Sequence, residues 1–192
     1  MPDAQEAPFA LRRARREAPA GPSAMFLLTL GLATALVLSA LAPASARELA
    51  PVDPRWTPGD VVVSQSQRKL YFVAERGLAI RYAVGVGKRG KAWYGTKRID
   101  GKFVEPDWAP PAEVKRDIPS LPNFVRGGSP GNPMGARALT LDGGVYAIHG
   151  TTRTMRGSVG GAVSYGCIRM LNEDVIDLFE RVAVGTPVTV VP

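Results

Sequence analysis

The chain has 192 residues, of which 45% are hydrophobic, so it can bury the core of one sizeable domain and leaves little for a second. Its 17 prolines and 21 glycines indicate many turns and loops. The formal net charge is +7, but the basic residues are scattered singly, without interleaved aromatic residues or a recognition motif. Nucleic acid is therefore not a predicted partner.

Residues 1–46 have the features of a secretory signal peptide. An uncharged apolar run covers residues 25–41, four arginines precede it, and residues 44–46 read Ala-Ser-Ala, which fits a cleavage site. We expect export to the periplasm or cell envelope with cleavage after Ala46. An uncleaved anchor is the alternative, because 17 apolar residues are at the short limit for spanning a bilayer. In an exported protein the basic charge would favour an anionic cell wall, and a merely solvated basic surface is the alternative.

The first half of the remaining chain is predicted to contain a linker and three strands. Residues 47–58 contain three prolines and are interpreted as a linker to the folded domain. Runs rich in strand-forming residues at 60–64, 69–73 and 78–84, with short connections, predict antiparallel pairing. Residues 85–90 are rich in glycine, but no helix pattern follows them, so a phosphate-binding loop is not predicted.

The second half is predicted to hold a long loop, one helix and a closing strand. Residues 103–137 are rich in proline and are interpreted either as a functional lid or as a surface loop folded over the sheets. Asn172 is a candidate N-cap for a helix with an acidic first turn. The buried face of this helix is predicted to consist of Val175, Leu178, Phe179 and Val182. With a strand at 188–191, the pattern predicts a mostly β domain over residues 59–192, a sandwich or barrel.

The candidate chemistry is concentrated in the only histidine and the only cysteine of the chain. His149 and Cys167 are 18 positions apart, and each lies beside glycine. A thiol nucleophile needs a base near neutral pH, and imidazole has a suitable pKa, so the pair is a candidate for nucleophilic catalysis. The alternative is that both residues only pack in the interior. A lone cysteine cannot form an intramolecular disulfide after export, which supports the catalytic interpretation.

The residues around this pair resemble a known family. His149-Gly150-Thr151, a spacer rich in Gly and Ser, and then Ser164-x-Gly166-Cys167-Ile168-Arg169-Met170 resemble the signature of L,D-transpeptidase catalytic domains of the YkuD type. The resemblance covers roughly residues 59–192. It implies a mostly β fold with mixed sheets, and an enzyme of peptidoglycan that forms a thioacyl intermediate on Cys167. Tyr165 is a departure, because many members have His there.

The remaining site residues follow from the chemistry of the pair. A backbone carbonyl near Gly150 is the first choice for orienting His149, as the resemblance also implies, and Asp142 is the alternative. Backbone N–H groups around Tyr165, Gly166 and Cys167 are candidate donors to the oxyanion, each contributing roughly 3 to 4 kcal/mol.

Three neighbouring side chains have other expected roles. Ser164 either supports the turn or contacts substrate, and Arg169 either binds a substrate carboxylate or forms a structural ion pair. Tyr146 is expected on the face of its strand opposite to His149 and is not a catalytic candidate.

The predicted function is a peptidoglycan L,D-transpeptidase. The resemblance implies that Cys167 attacks the stem tetrapeptide at its diamino acid, releases D-alanine and passes the acyl group to an amine. The acceptor amine would belong to another stem or to a protein to be attached to the wall, and carbapenems would acylate Cys167. Alternatives are a carboxypeptidase or endopeptidase that uses water, and a non-catalytic peptidoglycan-binding module. No cofactor is predicted, and one His with one Cys would make a poor metal site.

Overall fold

A computed structural model describes residues 48–192, and the structural statements below refer to this part of the chain. It contains eleven strands, two α-helices and one 3-10 helix. The strands are β1 (Glu48–Pro51), β2 (Val61–Ser64), β3 (Lys69–Glu75), β4 (Leu78–Ala83), β5 (Val86–Gly87), β6 (Gly95–Val104), β7 (Arg137–Leu141), β8 (Tyr146–His149), β9 (Ala162–Ser164), β10 (Ile168–Arg169) and β11 (Pro187–Val191). The helices are α1 (Ala112–Asp117), the 3-10 helix (Arg153–Ser158) and α2 (Asn172–Arg181).

Nine strands form one mixed sheet in the order β1-β4-β3-β2-β11-β6-β7-β8-β10, and β5 pairs with β9 in a separate parallel pair. Within the large sheet, β11 pairs with β2 and β10 pairs with β8 in parallel, while the other neighbours are antiparallel. The mostly β fold and the antiparallel β2-β3-β4 unit predicted from the sequence are confirmed.

The core lies where α2 and the central strands bury their apolar side chains. Strand β2 lies between β3 and β11 and is buried along its whole length, as expected for a strand covered on both faces. Val175, Leu178 and Val182 of the predicted helix face are buried, and Phe179 packs against the core from its edge, so that face is confirmed. Helix α2 packs on β7 and β8 and thus supports the strand that ends at His149.

Two segments differ from the prediction. Part of the predicted linker, residues 48–51, is strand β1, which extends the sheet by pairing with β4. The predicted loop begins later than expected, because β6 continues to Val104 between β11 and β7, and α1 lies within that loop. The sequence of β6 is mostly polar and contains two glycines, Gly95 and Gly101, so its strand character depends on pairing with distant segments.

The start of α2 also differs. Leu171 occupies the N-cap position, and no side chain caps the helix there. The side chain of Asn172, predicted to be the cap, instead accepts hydrogen bonds from the backbone N–H groups of Ala136 and Thr151, at 3.0 Å each.

The predicted signal peptide lies outside the described residues. Among residues 48–192, no helix has the length and apolar character needed to cross a membrane. In the same range, no group of three or more His, Cys, Asp or Glu side chains is arranged to hold a metal ion.

Candidate active site

The site is organised by the short parallel pair of β8 and β10. Register places Arg169 opposite His149 and Ile168 opposite Ile148. Because side chains alternate along a strand, Cys167, which directly precedes β10, lies on the same face as Arg169 and His149. Tyr146 lies on the other face with Ile148, where it packs against the core.

The His149 imidazole is buried and oriented by the backbone. Its Nδ1 lies 2.7 Å from the carbonyl oxygen of Gly150, and the side chain is 4% exposed. A carbonyl oxygen can only accept, so Nδ1 carries the hydrogen and Nε2 is the basic nitrogen. Asp142, the alternative partner, instead accepts from Lys97 at the turn before β8.

The surroundings of His149 keep it neutral. Burial, and secondarily the positive charge of Arg169, lower its pKa to about 4, although the backbone carbonyls of Gly150 and Pro133 act in the opposite direction. At neutral pH the imidazole is therefore unprotonated and available as a base.

Cys167 is a free thiol whose surroundings favour the protonated form. Burial raises its pKa, while hydrogen bonding from the backbone of Ala147 and the charge of Arg169 partly offset this effect. The raised thiol pKa and the lowered imidazole pKa favour the uncharged form of each group at neutral pH. Proton transfer from the thiol to the imidazole would then accompany attack.

Arg169 is the cation of the site. One of its terminal nitrogens donates to the hydroxyl of Ser158 at 2.8 Å, and its buried Nε has no hydrogen-bond partner. Burial lowers its pKa, and the neighbouring thiol acts in the opposite direction. Within residues 48–192 it forms no ion pair with a carboxylate, so the alternative of a structural ion pair has no support.

The turn before Cys167 is held by hydrogen bonds that change the predicted oxyanion donors. The Ser164 hydroxyl accepts from the N–H of Gly166 at 3.1 Å and donates to the carbonyl of Cys167 at 2.6 Å. Gly166 N–H, predicted as a donor to the oxyanion, is therefore already engaged. Among the described residues, the N–H groups of Tyr165 and Cys167 have no backbone or side-chain acceptor. Ser164 serves the turn by these contacts.

Tyr165 connects the nucleophile turn to the proline-rich segment. Its hydroxyl donates to Asp117 of α1 at 2.9 Å, and the ammonium of Lys88 lies 3.7 Å from its ring centroid. A second connection joins Lys91 to Glu113 of the same helix. Tyr165, where the chain departs from the family signature, thus packs between α1 and Lys88, which directly follows β5.

Two asparagines that the sequence did not place in the site hold backbone near it, Asn172 beside Gly150 and Asn132 within the proline-rich segment. Asn172 accepts from two loops, and a Cβ atom at Gly150 would lie 2.1 Å from its side-chain oxygen. Asn132 is 2% exposed and donates to three carbonyls of the proline-rich segment, those of Pro106, Val125 and Arg126. The sequence signal for Asn132 is that Asn132-Pro-Met-Gly135 resembles the family's approach to the catalytic strand.

The chain is similar to proteins named for one activity. The L,D-transpeptidase catalytic domain (YkuD) matches residues 58–190. YbiS of Escherichia coli K12, named a probable L,D-transpeptidase, is 38% identical over 138 residues, which cover 68% of this chain and 43% of YbiS. YqjB of Bacillus subtilis 168, which is also named as an L,D-transpeptidase by assignment, is 36% identical over 141 residues. The match covers 69% of this chain and 72% of YqjB.

A solved structure shows the same fold. An L,D-transpeptidase from Mycobacterium smegmatis aligns with a TM-score of 0.53 at 21% identity, covering 69% of this chain and 58% of the other. The chain spans less than half the length of YbiS, so the similarity concerns the catalytic domain. The matched region contains β2 to β10, the buried imidazole and the thiol on one face of the β8–β10 pair. The chain therefore belongs to the L,D-transpeptidase catalytic domain family.

Proposed function

We propose that this protein is a peptidoglycan L,D-transpeptidase with Cys167 as nucleophile and His149 as general acid and base. The observation that supports this most strongly is the common face of β8 and β10, which carries the thiol, a neutral buried imidazole and an arginine without an acidic partner. Backbone orientation of His149 by Gly150 leaves Nε2 as the basic nitrogen for the thiol proton.

The first half-reaction forms a thioester. His149 Nε2 takes the proton of Cys167 as the sulfur attacks the carbonyl carbon of the diamino acid in the donor stem. Negative charge then develops on the carbonyl oxygen, where the N–H groups of Cys167 and Tyr165 are the available donors. The C–N bond breaks as the imidazolium returns its proton to the amine of D-alanine, and this amine leaves.

The second half-reaction transfers the acyl group. His149 takes a proton from the incoming amine, which attacks the thioester carbon, and the C–S bond breaks after a second tetrahedral intermediate. The thiolate leaves and recovers a proton from the imidazolium. The acceptor amine would belong to a second stem, giving a 3-3 cross-link, or to a protein to be attached to the wall.

Arg169 is proposed to bind a carboxylate of the stem peptide. Its guanidinium is more than half buried on the catalytic face, has a vacant donor at Nε and is held by Ser158 without charge compensation. A planar fork of donors matches a carboxylate better than an ammonium would.

The setting of the reaction is proposed to be the cell envelope. The arginine-rich start, the apolar run at 25–41 and Ala-Ser-Ala at 44–46 favour export with residues 1–46 as signal peptide. Carbapenems should acylate Cys167, because the ring amide meets the same nucleophile. N-terminal sequencing of protein recovered from the envelope tests the cleavage site, and intact mass after carbapenem exposure tests acylation.

The decisive experiment uses the full protein with a disaccharide-tetrapeptide, followed by mass spectrometry, with Cys167→Ala as the matched control. Loss of D-alanine with formation of a cross-linked dimer supports the transpeptidase. Formation of the tripeptide without a dimer would show that water, and not an amine, is the acceptor. An equal product yield from Cys167→Ala would refute the mechanism. Substrate binding without turnover in either protein would favour a binding module.

A further inference from the structure

The peptide group between Gly166 and Cys167 is held from outside the signature motif. The indole N–H of Trp93 donates to the carbonyl oxygen of Gly166 at 3.0 Å. This is the only side-chain donor to that carbonyl among the described residues, and Trp93 lies more than 70 positions upstream. The contact belongs to the turn that precedes β6 and not to the family signature.

This contact determines where the next N–H points. The carbonyl of Gly166 and the N–H of Cys167 belong to one planar peptide group, and in a trans peptide they point in opposite directions. A carbonyl fixed toward Trp93 therefore directs the Cys167 N–H to the opposite side. That N–H has no protein acceptor within the described chain, so it is available to an oxyanion.

The indole is itself held in place by aromatic and cationic neighbours. Its ring lies 5.3 Å from that of Tyr146 at an interplanar angle of 33°, and the ammonium of Lys97 lies 5.4 Å and 5.1 Å from the two ring centroids. Tyr146 also limits the position of Gly166, which has φ +118°, because a Cβ atom there would lie 2.6 Å from its ring. The stack therefore leaves the peptide group little freedom to rotate.

We propose that Trp93 is a positioning residue for acyl transfer, whose indole N–H orients the Cys167 N–H toward the oxyanion. This inference rests on the proposed function, since it assigns a residue to the oxyanion step of that reaction. Trp93 does not contact the thiol hydrogen or the imidazole in any described hydrogen bond, so its effect should be confined to steps that build charge on oxygen.

Two reactions of the same thiol separate this role from a general structural one. Acylation by a carbapenem passes through an oxyanion, whereas alkylation by iodoacetamide needs the thiol and its base but forms no tetrahedral oxyanion. In Trp93→Phe, the second-order rate of acylation should fall about 5- to 10-fold, as expected for one neutral hydrogen bond. The rate of alkylation should stay within about 2-fold of wild type.

Matched variants keep the test independent of folding. Trp56→Phe makes the same replacement at a tryptophan outside this stack, beside Arg55, and should leave both rates unchanged. Trp93 can also be replaced by its benzothiophene analogue, which keeps the shape of the indole and lacks the N–H donor, and which should reproduce the selective loss even where Trp93→Phe fails to fold.

Each outcome has one consequence. A selective loss of acylation in both Trp93 variants supports the inference. Equal losses in both reactions would show a loosened site, and unchanged rates would show no role, so either overturns it. Wild-type protein that is alkylated but never acylated would refute the proposed function itself, and the assignment of Trp93 would fall with it.

Discussion

The buried imidazole makes the stability of this protein depend on pH in a predictable way. His149 has a folded-state pKa of about 4, below its ordinary value near 6.5, because burial and Arg169 disfavour its charged form. The unfolded chain therefore binds the proton more tightly between these two values. The contribution of His149 is fully present above about pH 6.5 and is lost as the pH falls toward the folded-state pKa.

The size of this pH effect follows from the linkage between folding and proton binding at His149. With these two pKa values, the free energy of unfolding should be lower than at pH 7 by about 2 kcal/mol at pH 5 and about 3 kcal/mol at pH 4. Urea denaturation of wild type and His149→Gln at each pH isolates the contribution of His149 to the free energy of unfolding, because the carboxylates titrate in both proteins. The chain has one histidine, so its ring resonances report the folded-state pKa directly by NMR. A ring pKa near 6.5, or parallel pH curves for the two proteins, would refute the reasoning.

Three substitutions test other parts of the site. Arg169→Gln should raise the pKa values of both the His149 imidazole and the Cys167 thiol, because the guanidinium lowers each. NMR measures the imidazole pKa and thiol absorbance measures the thiol pKa. A fall in either value would contradict the electrostatic account. Gly150→Ala should cost at least about 2 kcal/mol of unfolding free energy from overpacking, whereas Gly157→Ala, with open space around it, should stay within about 0.5 kcal/mol in the same denaturation assay. Tyr165→Phe removes the bond to Asp117 and should cost about 1 kcal/mol or less while speeding proteolysis within α1; unchanged cleavage would show that the bond does not hold the helix.

The elements predicted well from the sequence are those whose signal is local. Strands β2 to β4 consist of β-branched and apolar residues with turns between them, and their antiparallel pairing needs only the neighbouring strand. Helix α2 displays its buried face by helical spacing within ten residues. Strand β6 has neither signal, because only Ile99 among its residues is buried, and it is held by hydrogen bonds to β7 and β11.

Within the site, too, only the features with a local sequence signal could be predicted. The candidate pair, His149 and Cys167, could be selected from the sequence because thiol and imidazole are rare and chemically specific, and its catalytic role stays a prediction. The role of Asn172 could not, because helix-start residues usually cap their own helix, and here the side chain bonds to backbone 21 and 36 positions away. The engagement of Gly166 N–H by Ser164 is local in sequence, but the choice between this bond and an oxyanion depends on the turn's three-dimensional path.

The substitution at Tyr165 bears on how the site responds to pH. With tyrosine there, His149 is the one imidazole of the chain, and in the proposed mechanism it alone would serve as base for the thiol and for the acceptor amine. The lowered pKa of His149 keeps the imidazole unprotonated well below neutral pH. The raised pKa of Cys167 keeps the thiol protonated above neutral pH. Acylation of the free enzyme should therefore show a single acidic limb, with a midpoint closer to pH 4 than to 6.5, and a broad plateau through neutral pH. The rate of carbapenem acylation measured from pH 4 to 8 decides this, since an acidic limb near 6.5, or two limbs below neutral pH, would require a base other than the buried imidazole.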